Sequence, residues 1–416
     1  MREGFAIAEF ACSNRSDVGR HAVAAGALEG TVAVGASPAM PWSSSRSSRL
    51  ALLASVAAMV AGAAAVNASV ASVAAGQVEA AESSGCAPQM MVLPPLQGAE
   101  DSSLVAINDR GWAVGTSGER VVLWRDGEVV DLGIGSRLTT EVEVHARPID
   151  VNENGMVAVA KIRVDRNDGI VRLVRRTAWL WKNGQATRLP AGRVRTNAVP
   201  AAVNDYGTAV GYITRGENDS RPALWRDGEL TRLPLPRSAT SGYAEENNNH
   251  GLIIGSVFRR DEPATPWYWR VRGSSGPLQT PQTRRPVGVA PTDVDNRDRI
   301  VGAVTGGDGV VWREPTAKPR MLGFPAPDAI NDYSDVVGTS GGLRGIGEKA
   351  WVARLASDTV HALPYPPNTG DEGGTVYARE AIRGVTSFAP HGGVSVGGGY
   401  SGNTDKALIW TCAYQQ

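Results

Sequence analysis

A short phrase recurs along this chain, and its repetition constrains the fold more than any other feature. Each copy has an Asn-Asp-x-Gly turn, a Val-Gly pair and a strand ending in Leu-Trp-Arg-Asp-Gly, most clearly at residues 107–127 and 203–228. Such a repeat predicts supersecondary units that bury their apolar faces against neighbouring units. The strand tryptophans, which we predict to pack between units, are Trp124, Trp181, Trp225, Trp269, Trp312, Trp351 and Trp410.

Each unit is predicted to hold four antiparallel strands, a to d in chain order. Strand a ends at an asparagine that can bond its own backbone in the turn, where glycine supplies a positive φ angle. Strand b carries the Val-Gly pair, strand c ends at the tryptophan before a two-residue Asp-Gly or Asn-Gly hairpin, and strand d ends near Leu-Pro. Four short strands per unit are typical of a β-propeller blade, so we predict an all-β fold, with seven four-stranded blades favoured.

The repeat positions can be assigned residue by residue. We interpret the asparagines as turn-stabilising residues rather than ligands. They are Asn108, Asn152, Asn204, Asn248 and Asn331, with Asp295 in the fifth unit. The Val-Gly glycines are assigned as Gly115, Gly211, Gly255, Gly302, Gly338 and, in the degenerate last unit, Gly397.

The ends of the repeat region predict a closed ring. The seventh unit stops shortly after Trp410 and lacks strand d, whereas residues 90–94 end in Leu-Pro like the other d strands. We therefore predict that an N-terminal strand completes the last blade, although the weak last unit leaves the blade number open. The same alignment places Cys86 and Cys412 at one turn. It predicts a disulfide that locks the ring, worth about 4–5 kcal/mol in the chain-entropy model.

Charge and hydropathy bear on partners and location. The chain has 42 basic and 42 acidic residues, so no basic excess indicates nucleic acid as a partner. Arg46 and Arg49 precede an apolar run over residues 50–66, and small residues suitable for cleavage follow, as in a secretory signal peptide. The run is shorter than the roughly 20 residues of a spanning helix, so no stable membrane span is expected after cleavage. An uncleaved signal anchor is the alternative.

These features divide the chain into four segments and predict a secreted, extracellular protein. The segments are a leader extension or upstream start that is disordered (1–39), a signal peptide (40–75), a short linker (76–89) and the propeller repeat domain (90–416).

The connections between strands b and c and between d and a share one end of a propeller, and here they vary most in length. Variable loops on a rigid scaffold commonly carry function. The second unit is the most unusual, because residues 157–166 and 170–181 predict a long hairpin above this face. Arginine forks pair well with carboxylate and phosphate, so the predicted ligand-binding residues are Arg163, Arg166, Arg193, Arg195, Arg259, Arg260, Arg284, Arg285 and Tyr377. An ordinary solvated polar surface is the alternative.

Two short motifs resemble catalytic or metal-binding patterns, but their positions are better explained by the repeat than by catalysis or metal binding. Residues 393–397 match the G-x-S-x-G pattern of serine hydrolases but fall on a predicted strand b rather than a strand-to-helix turn. Residues 293–298 suggest a calcium loop but lack its glycine and distal glutamate. The histidines are not clustered, and no Gly-rich phosphate loop precedes a helix. We predict no catalytic residues, no metal site and no cofactor.

The repeated phrase resembles the HAF family of extracellular repeat proteins over roughly residues 100–411. The family's Ala-Phe-Leu-Trp appears in modified form at residues 122–124, 223–225 and 407–410. The resemblance implies an exported repeat scaffold and provides no catalytic residues.

The sequence therefore predicts a secreted, non-enzymatic scaffold that binds a surface polysaccharide or protein through the b–c/d–a face. The alternative is a propeller enzyme acting on carbohydrate, a glycoside hydrolase or lyase. An enzyme should place a cluster of acids at the channel mouth, whereas a binding module should show arginines and aromatics such as Tyr212, Tyr377 and Tyr400.

Overall fold

Short strands joined by tight turns make up the described part of the chain. The computed structural model describes residues 89–411, apart from 140–141, 168–169, 193–195, 216–218, 283–286, 341–348, 357–359, 365, 367–374, 384–393 and 403. Within these residues, no helix is long and apolar enough to cross a membrane.

The strands are numbered in the order in which they occur along the chain. The first ten are β1 (Gln89–Val92), β2 (Ser102–Ile107), β3 (Ala113–Ser117), β4 (Arg120–Arg125), β5 (Glu128–Gly135), β6 (Arg137–Leu138), β7 (Val142–Val151), β8 (Val157–Asn167), β9 (Ile170–Lys182) and β10 (Gln185–Arg188). The next ten are β11 (Asn197–Val203), β12 (Ala209–Thr214), β13 (Ser220–Arg226), β14 (Glu229–Arg232), β15 (Ser241–Asn247), β16 (Leu252–Phe258), β17 (Thr265–Arg270), β18 (Ser275–Pro277), β19 (Val289–Val294) and β20 (Ile300–Val304). The remainder are β21 (Asp308–Trp312), β22 (Arg320–Pro325), β23 (Ala329–Ile330), β24 (Asp335–Ser340), β25 (Lys349–Arg354), β26 (Val360–Ala362), β27 (Thr375–Arg383), β28 (Val394–Ser401) and β29 (Lys406–Thr411).

These strands form seven antiparallel sheets, which confirms the prediction of an all-β, seven-bladed propeller. Blade 1 contains β2–β5, blade 2 contains β7–β10, and blades 3 to 6 take the following strands in fours. Blade 7 has the order β1-β29-β28-β27, so the N-terminal strand is its outermost member. Blade 2 alone among the described sheets has a fifth strand, the short β6 beside β7.

The N-terminal strand closes the ring as predicted. Met90 lies opposite Trp410 in the β1–β29 pair, and the backbone N–H of Leu93 donates to the carbonyl of Ala407 at 2.9 Å. Leu189 makes the corresponding bond to Ala178 in blade 2, at 2.8 Å. The first segment therefore takes the place of a d strand. Cys86 and Cys412 lie outside the described residues, so their disulfide stays a prediction.

The Leu-Pro signature has a specific role at the blade interfaces. The indole N–H of Trp225 in blade 3 donates to the carbonyl of Pro190, which lies two residues after the end of strand d of blade 2, at 2.7 Å. The carbonyl of Pro94 accepts from Trp124 at 2.7 Å, which carries the same contact across the closure of the ring. Equivalent bonds join Trp269 to Pro234, Trp312 to Gln279 and Trp410 to Pro364. All seven repeat tryptophans are buried, including Trp181 and Trp351.

A β-bulge in the innermost strand explains the Val-Gly glycine. In blade 4 the register shifts between Ala244 and Glu246, and the carbonyl of Tyr243 points at Gly255 on the next strand. A Cβ at Gly255 would overlap that carbonyl, so only glycine fits. In blade 7 the residue with this contact is Gly398, which faces the carbonyl of Tyr377.

The sequence assignment of Gly397 to this position is therefore wrong by one residue. Gly397 lies opposite Glu380, and a Cβ there would meet the side chain of Ile107 instead. Gly397 follows a valine and so matches the Val-Gly pattern, but it is the first of three consecutive glycines, and the strand register gives the contact to the second.

Candidate functional site

The repeated asparagines join neighbouring blades at one end of the central channel. Oδ1 of Asn204 accepts the backbone N–H groups of Tyr206 and Thr208, at 3.1 and 3.0 Å, which holds its own turn. Nδ2 of the same side chain donates to the carbonyl of Asn248 in the next blade, at 3.0 Å. Asn108, Asn152 and Asn248 make the same interblade contact. The asparagines thus stabilise their turns, as interpreted from the sequence, and also bridge blades.

A second ring of contacts uses the residue that follows each asparagine. The backbone N–H of Asp109 donates to Oε1 of Glu153 at 2.6 Å, and that of Glu153 donates to Oδ1 of Asp205 at 2.8 Å. The N–H of Asn296 donates to Oδ1 of Asp332 at 2.7 Å. Asn249 continues the ring between them, because it accepts from the N–H of Asp205 and donates to Asn296.

A third layer of carboxylates lies on the innermost strands. Oδ2 of Asp150 accepts the N–H of Val203, and Oδ2 of Asp293 accepts the N–H of Ile330, each at 2.8 Å. Glu380 of blade 7 accepts the N–H of Ile107 of blade 1 at 2.8 Å, so this layer crosses the closure of the ring. The three layers surround a cavity of about 180 Å³ at the a–b end of the channel.

Acids therefore do gather at the channel mouth, the feature expected of the enzymatic alternative. Burial raises the pKa of Asp109 to about 6, with further contributions from the charges of Asp332 and Asp205. Burial likewise raises the pKa of Glu153 to about 7. Arg110 lowers the pKa of Glu153 only slightly, because its Nε is 3.7 Å from the Glu153 carboxylate and its side chain is about half exposed. Sequence reasoning named the turn asparagines but missed this ring, although an acid or asparagine after each of them was visible.

Acidification is expected to stabilise the protein through Glu153. A carboxyl group whose pKa is raised on folding contributes stability that is present below its unfolded pKa, near 4.5, and is lost as the pH rises through about 7. Glu153→Gln keeps an oxygen for the Asp109 N–H and removes the charge. We expect this variant to gain about 1 kcal/mol at pH 8, after allowance for solvent screening, and to change little at pH 4. Urea denaturation at both pH values measures the effect.

Glu229→Gln is the matched control, since Glu229 is exposed on the outer strand β14. Equal gains at pH 4 and pH 8 for Glu153→Gln, or equal gains for the two variants, would contradict a charge penalty at the ring.

The two motifs that resemble catalytic or calcium-binding patterns lie at ordinary strand and turn positions of the blades. Ser395 lies within β28 and is 1 % exposed, so its G-x-S-x-G match is not a strand-to-helix turn. Asp295 accepts the backbone N–H groups of Arg297 and Arg299 at 2.9 Å, the turn role that asparagine has in other blades. Its carboxylate also pairs with the Arg299 side chain. The described residues include no group of three or more side chains suited to hold a metal ion.

The described members of the predicted ligand-binding set lie on different blades: Arg163 and Arg166 on blade 2, Arg259 and Arg260 on blade 4, and Tyr377 on blade 7. Arg259 is held within its own blade, because it donates to Ser238 at 2.9 Å and to Thr265 at 2.7 Å, whereas Arg260 is exposed. Arg163 is exposed within β8, and Arg166 lies near the end of that strand. Arg193, Arg195, Arg284 and Arg285 lie outside the described residues.

The aromatic residues named from the sequence are buried. Tyr377 is 7 % exposed and lies beneath the guanidinium of Arg379, 4.7 Å from its ring centroid, so its predicted role as a surface contact does not fit its position. Tyr212 packs edge-on against Tyr243 at 4.5 Å, and Tyr400 is 2 % exposed. Their rings fill space between blades. The sequence alone does not show whether a tyrosine at these positions is buried or exposed.

The long hairpin predicted in the second unit is confirmed. β8 has 11 residues and β9 has 13, whereas β12 and β13 of blade 3 have 6 and 7. At 3.3 Å per residue, the extra length of about five residues carries the hairpin roughly 16 Å further on the b–c/d–a face. The arm, as we call it, comprises residues 160–167 and 170–177 with residues 137–138 of β6 and 142–147 of β7.

Of the comparisons with known proteins, only the one with solved structures found similar proteins. No family model matches the chain, and no curated protein matches it. YCF48 from Cyanidioschyzon merolae shares 15 % identity over 77 % of this chain and 98 % of that chain, with a TM-score of 0.43. A streptogramin B lyase shares 10 % identity over 77 % and 97 %, with a TM-score of 0.43. The SapL1 lectin, solved with alpha-methyl fucoside, shares 12 % over 65 % and 98 %, with a TM-score of 0.33. Similarities this low carry no argument about function.

Proposed function

We propose that this chain is an exported, non-catalytic binding module of the HAF repeat type that holds an extracellular polysaccharide on its b–c/d–a face. The propeller supplies a rigid scaffold, and the connections on that face supply the ligand contacts. Secretion rests on the signal-like segment at residues 40–75, and the HAF assignment rests on the repeated phrase of the sequence.

The observation that carries the proposal is the arm of blade 2. It lengthens three adjacent strands and adds a fourth, β6, and among its described residues only Ala146 and Ala160, at its base, are buried. The extra strand length exposes basic side chains above the b–c/d–a face, and exposed structure of this kind supports recognition more directly than stability. At the opposite face, the a–b end of the channel, the carboxylates accept backbone N–H groups of neighbouring blades and so hold the blades together.

A second candidate, cleavage of a glycan at the a–b end of the channel, has one specific observation in its favour. Glycoside cleavage needs one protonated and one ionised carboxyl group. The pKa values of about 7 for Glu153 and about 6 for Asp109 lie where a general acid or base works at neutral pH. Both residues, however, also take part in the interblade ring, which accounts for their position without catalysis.

A thermal-shift screen with product analysis separates these functions. Protein lacking residues 1–75 is mixed with dextran, chitin oligosaccharides, polygalacturonate and dextran sulfate. A polysaccharide at a hundred times its dissociation constant should stabilise the protein by about 2.7 kcal/mol. We expect at least one polymer to stabilise the protein, and we expect product analysis to show that this polymer has not been shortened.

Two results would overturn the proposal. One is shortening of a polymer by the wild-type protein and not by Glu153→Gln, which would establish the enzyme. The other is the absence of a shift with every polysaccharide, which would exclude this ligand class.

A further inference from the structure

We infer that the arm recognises an acidic polysaccharide, one whose sugars carry carboxylates, through a row of arginines that runs across its strands. This inference rests on the proposed binding face and specifies the ligand class of that face.

The register of four strands places three arginines in one row. Arg137 of β6 lies opposite Val144 of β7, Val144 lies opposite Arg163 of β8, and Arg163 lies opposite Arg175 of β9. Residues directly opposite each other in antiparallel strands point to the same side of a sheet. Arg137, Arg163 and Arg175 therefore share one side of the arm and form the basic row, which spans about 14 Å at 4.8 Å per strand.

A lysine and a tryptophan extend the basic row on the same side. Lys161 lies two residues from Arg163 along β8, and its Nζ is 4.6 Å from the ring centroid of Trp179. Partial burial lowers the pKa of Lys161, so a negative charge nearby would favour its charged form. Trp179 is held in orientation by a 2.9 Å hydrogen bond from its Nε1 to Thr177.

Negative charge on this side of the arm is sparse. Asp165 pairs with Arg163 at 2.6 Å and is the acid that shares the side with the basic row among the described residues. Arg163 and Arg175 are both exposed and directly opposite, and like charges in that arrangement destabilise a strand pair. An anion that bridges the two guanidinium groups would relieve this repulsion.

The chemistry of the row suits a sugar polymer that carries carboxylates. Guanidinium groups bind carboxylates through two parallel hydrogen bonds, and a linear polymer offers such groups at regular intervals to a linear row. Aromatic faces such as that of Trp179 present an apolar surface next to the charges. Nucleic-acid binders usually carry a strong basic excess, whereas this chain has equal numbers of basic and acidic residues.

Binding of defined polymers tests the inference. Protein lacking residues 1–75 is titrated with polygalacturonate, dextran sulfate, dextran and duplex DNA at two salt concentrations. We expect the wild type to bind polygalacturonate more tightly than the other three, with weaker binding at higher salt. The double variant Arg163→Gln/Arg175→Gln should lose at least tenfold in affinity.

Arg272→Gln/Arg313→Gln is the matched control, since it removes two exposed arginines from the c–d turns of blades 4 and 5, at the opposite end of the propeller. Its affinity should stay within twofold of the wild type. Melting without ligand gives an independent measurement. Arg175→Gln removes the repulsion and leaves the Arg163–Asp165 pair intact, so it should keep or raise the melting temperature. A lower melting temperature would contradict the repulsion on which the row is argued.

The outcomes separate this inference from the proposed function. Binding of dextran alone, or unchanged affinity in the Arg163/Arg175 variant, overturns the basic row and leaves the binding module standing. Preference for DNA or dextran sulfate overturns the carboxylated ligand. Failure of every polysaccharide to bind overturns both.

Discussion

Replacing Trp225 with alanine is expected to destabilise the protein by about 4 kcal/mol. The indole is fully buried between blades 2 and 3, against Ala158, Ala178 and Leu189 of the preceding blade. The variant leaves a cavity at that interface, and the carbonyl of Pro190 loses its hydrogen-bond donor. Urea denaturation of the wild type and the variant measures the difference in the free energy of unfolding.

A conservative variant separates the cavity from the hydrogen bond. Trp225→Phe keeps most of the ring volume and loses the N–H, so we expect a cost of about 1–2 kcal/mol. Tyr333→Ala is the surface control, because Tyr333 is 47 % exposed, and it should stay within about 0.5 kcal/mol of the wild type. Equal costs for Trp225→Ala and Tyr333→Ala would contradict the role of the tryptophan in joining blades.

Replacing Asn204 with alanine is expected to cost about 3–4 kcal/mol. The side chain is buried and satisfies the backbone N–H groups of Tyr206 and Thr208 together with the carbonyl of Asn248. Each buried backbone group left without a partner costs about 1–3 kcal/mol, and partial entry of water into the channel reduces the sum. Chemical denaturation gives the loss of stability, and hydrogen exchange should show that the turn and the neighbouring blade open together.

The same turn provides the control for Asn204. Tyr206 is 74 % exposed, so Tyr206→Ala should change the stability by less than about 0.5 kcal/mol. A variant in which only the turn loses protection, with no change in blade 4, would contradict the interblade function of the asparagine.

The blade pattern was predictable because its signals are local. The positive φ angles occur at the predicted turn positions: φ is 80° at Gly111, and Asp298 and Ser334 take the place of glycine at 63° and 74°. Asp126 and Gly127 have φ of 53° and 83°, as a two-residue hairpin requires. The exception was blade 7, where a run of glycines concealed the register.

The candidate sites were less predictable because their residues come from different blades. The sequence indicated basic residues on the variable face but could not separate Arg259, which is held by its own blade, from the exposed Arg163. Arg137 was not singled out, because nothing near it in the chain shows that β6 will pair with β7. The acids of the channel mouth were present in the repeat, but each meets its partner 36 or more residues away.

The amino-acid sequence by itself determined the strand pattern of the blade and the closure of the ring, and it favoured seven blades. Those features follow from turn chemistry, strand alternation and the Leu-Pro and tryptophan positions, which act over the length of one or two repeats. Only the tertiary structure decided which side chains share a surface. Strand register selects the row of Arg137, Arg163 and Arg175, and the packing of blades around the channel brings Asp109, Glu153 and their neighbours together. Both depend on contacts between residues far apart in the chain, and no local pattern encodes them.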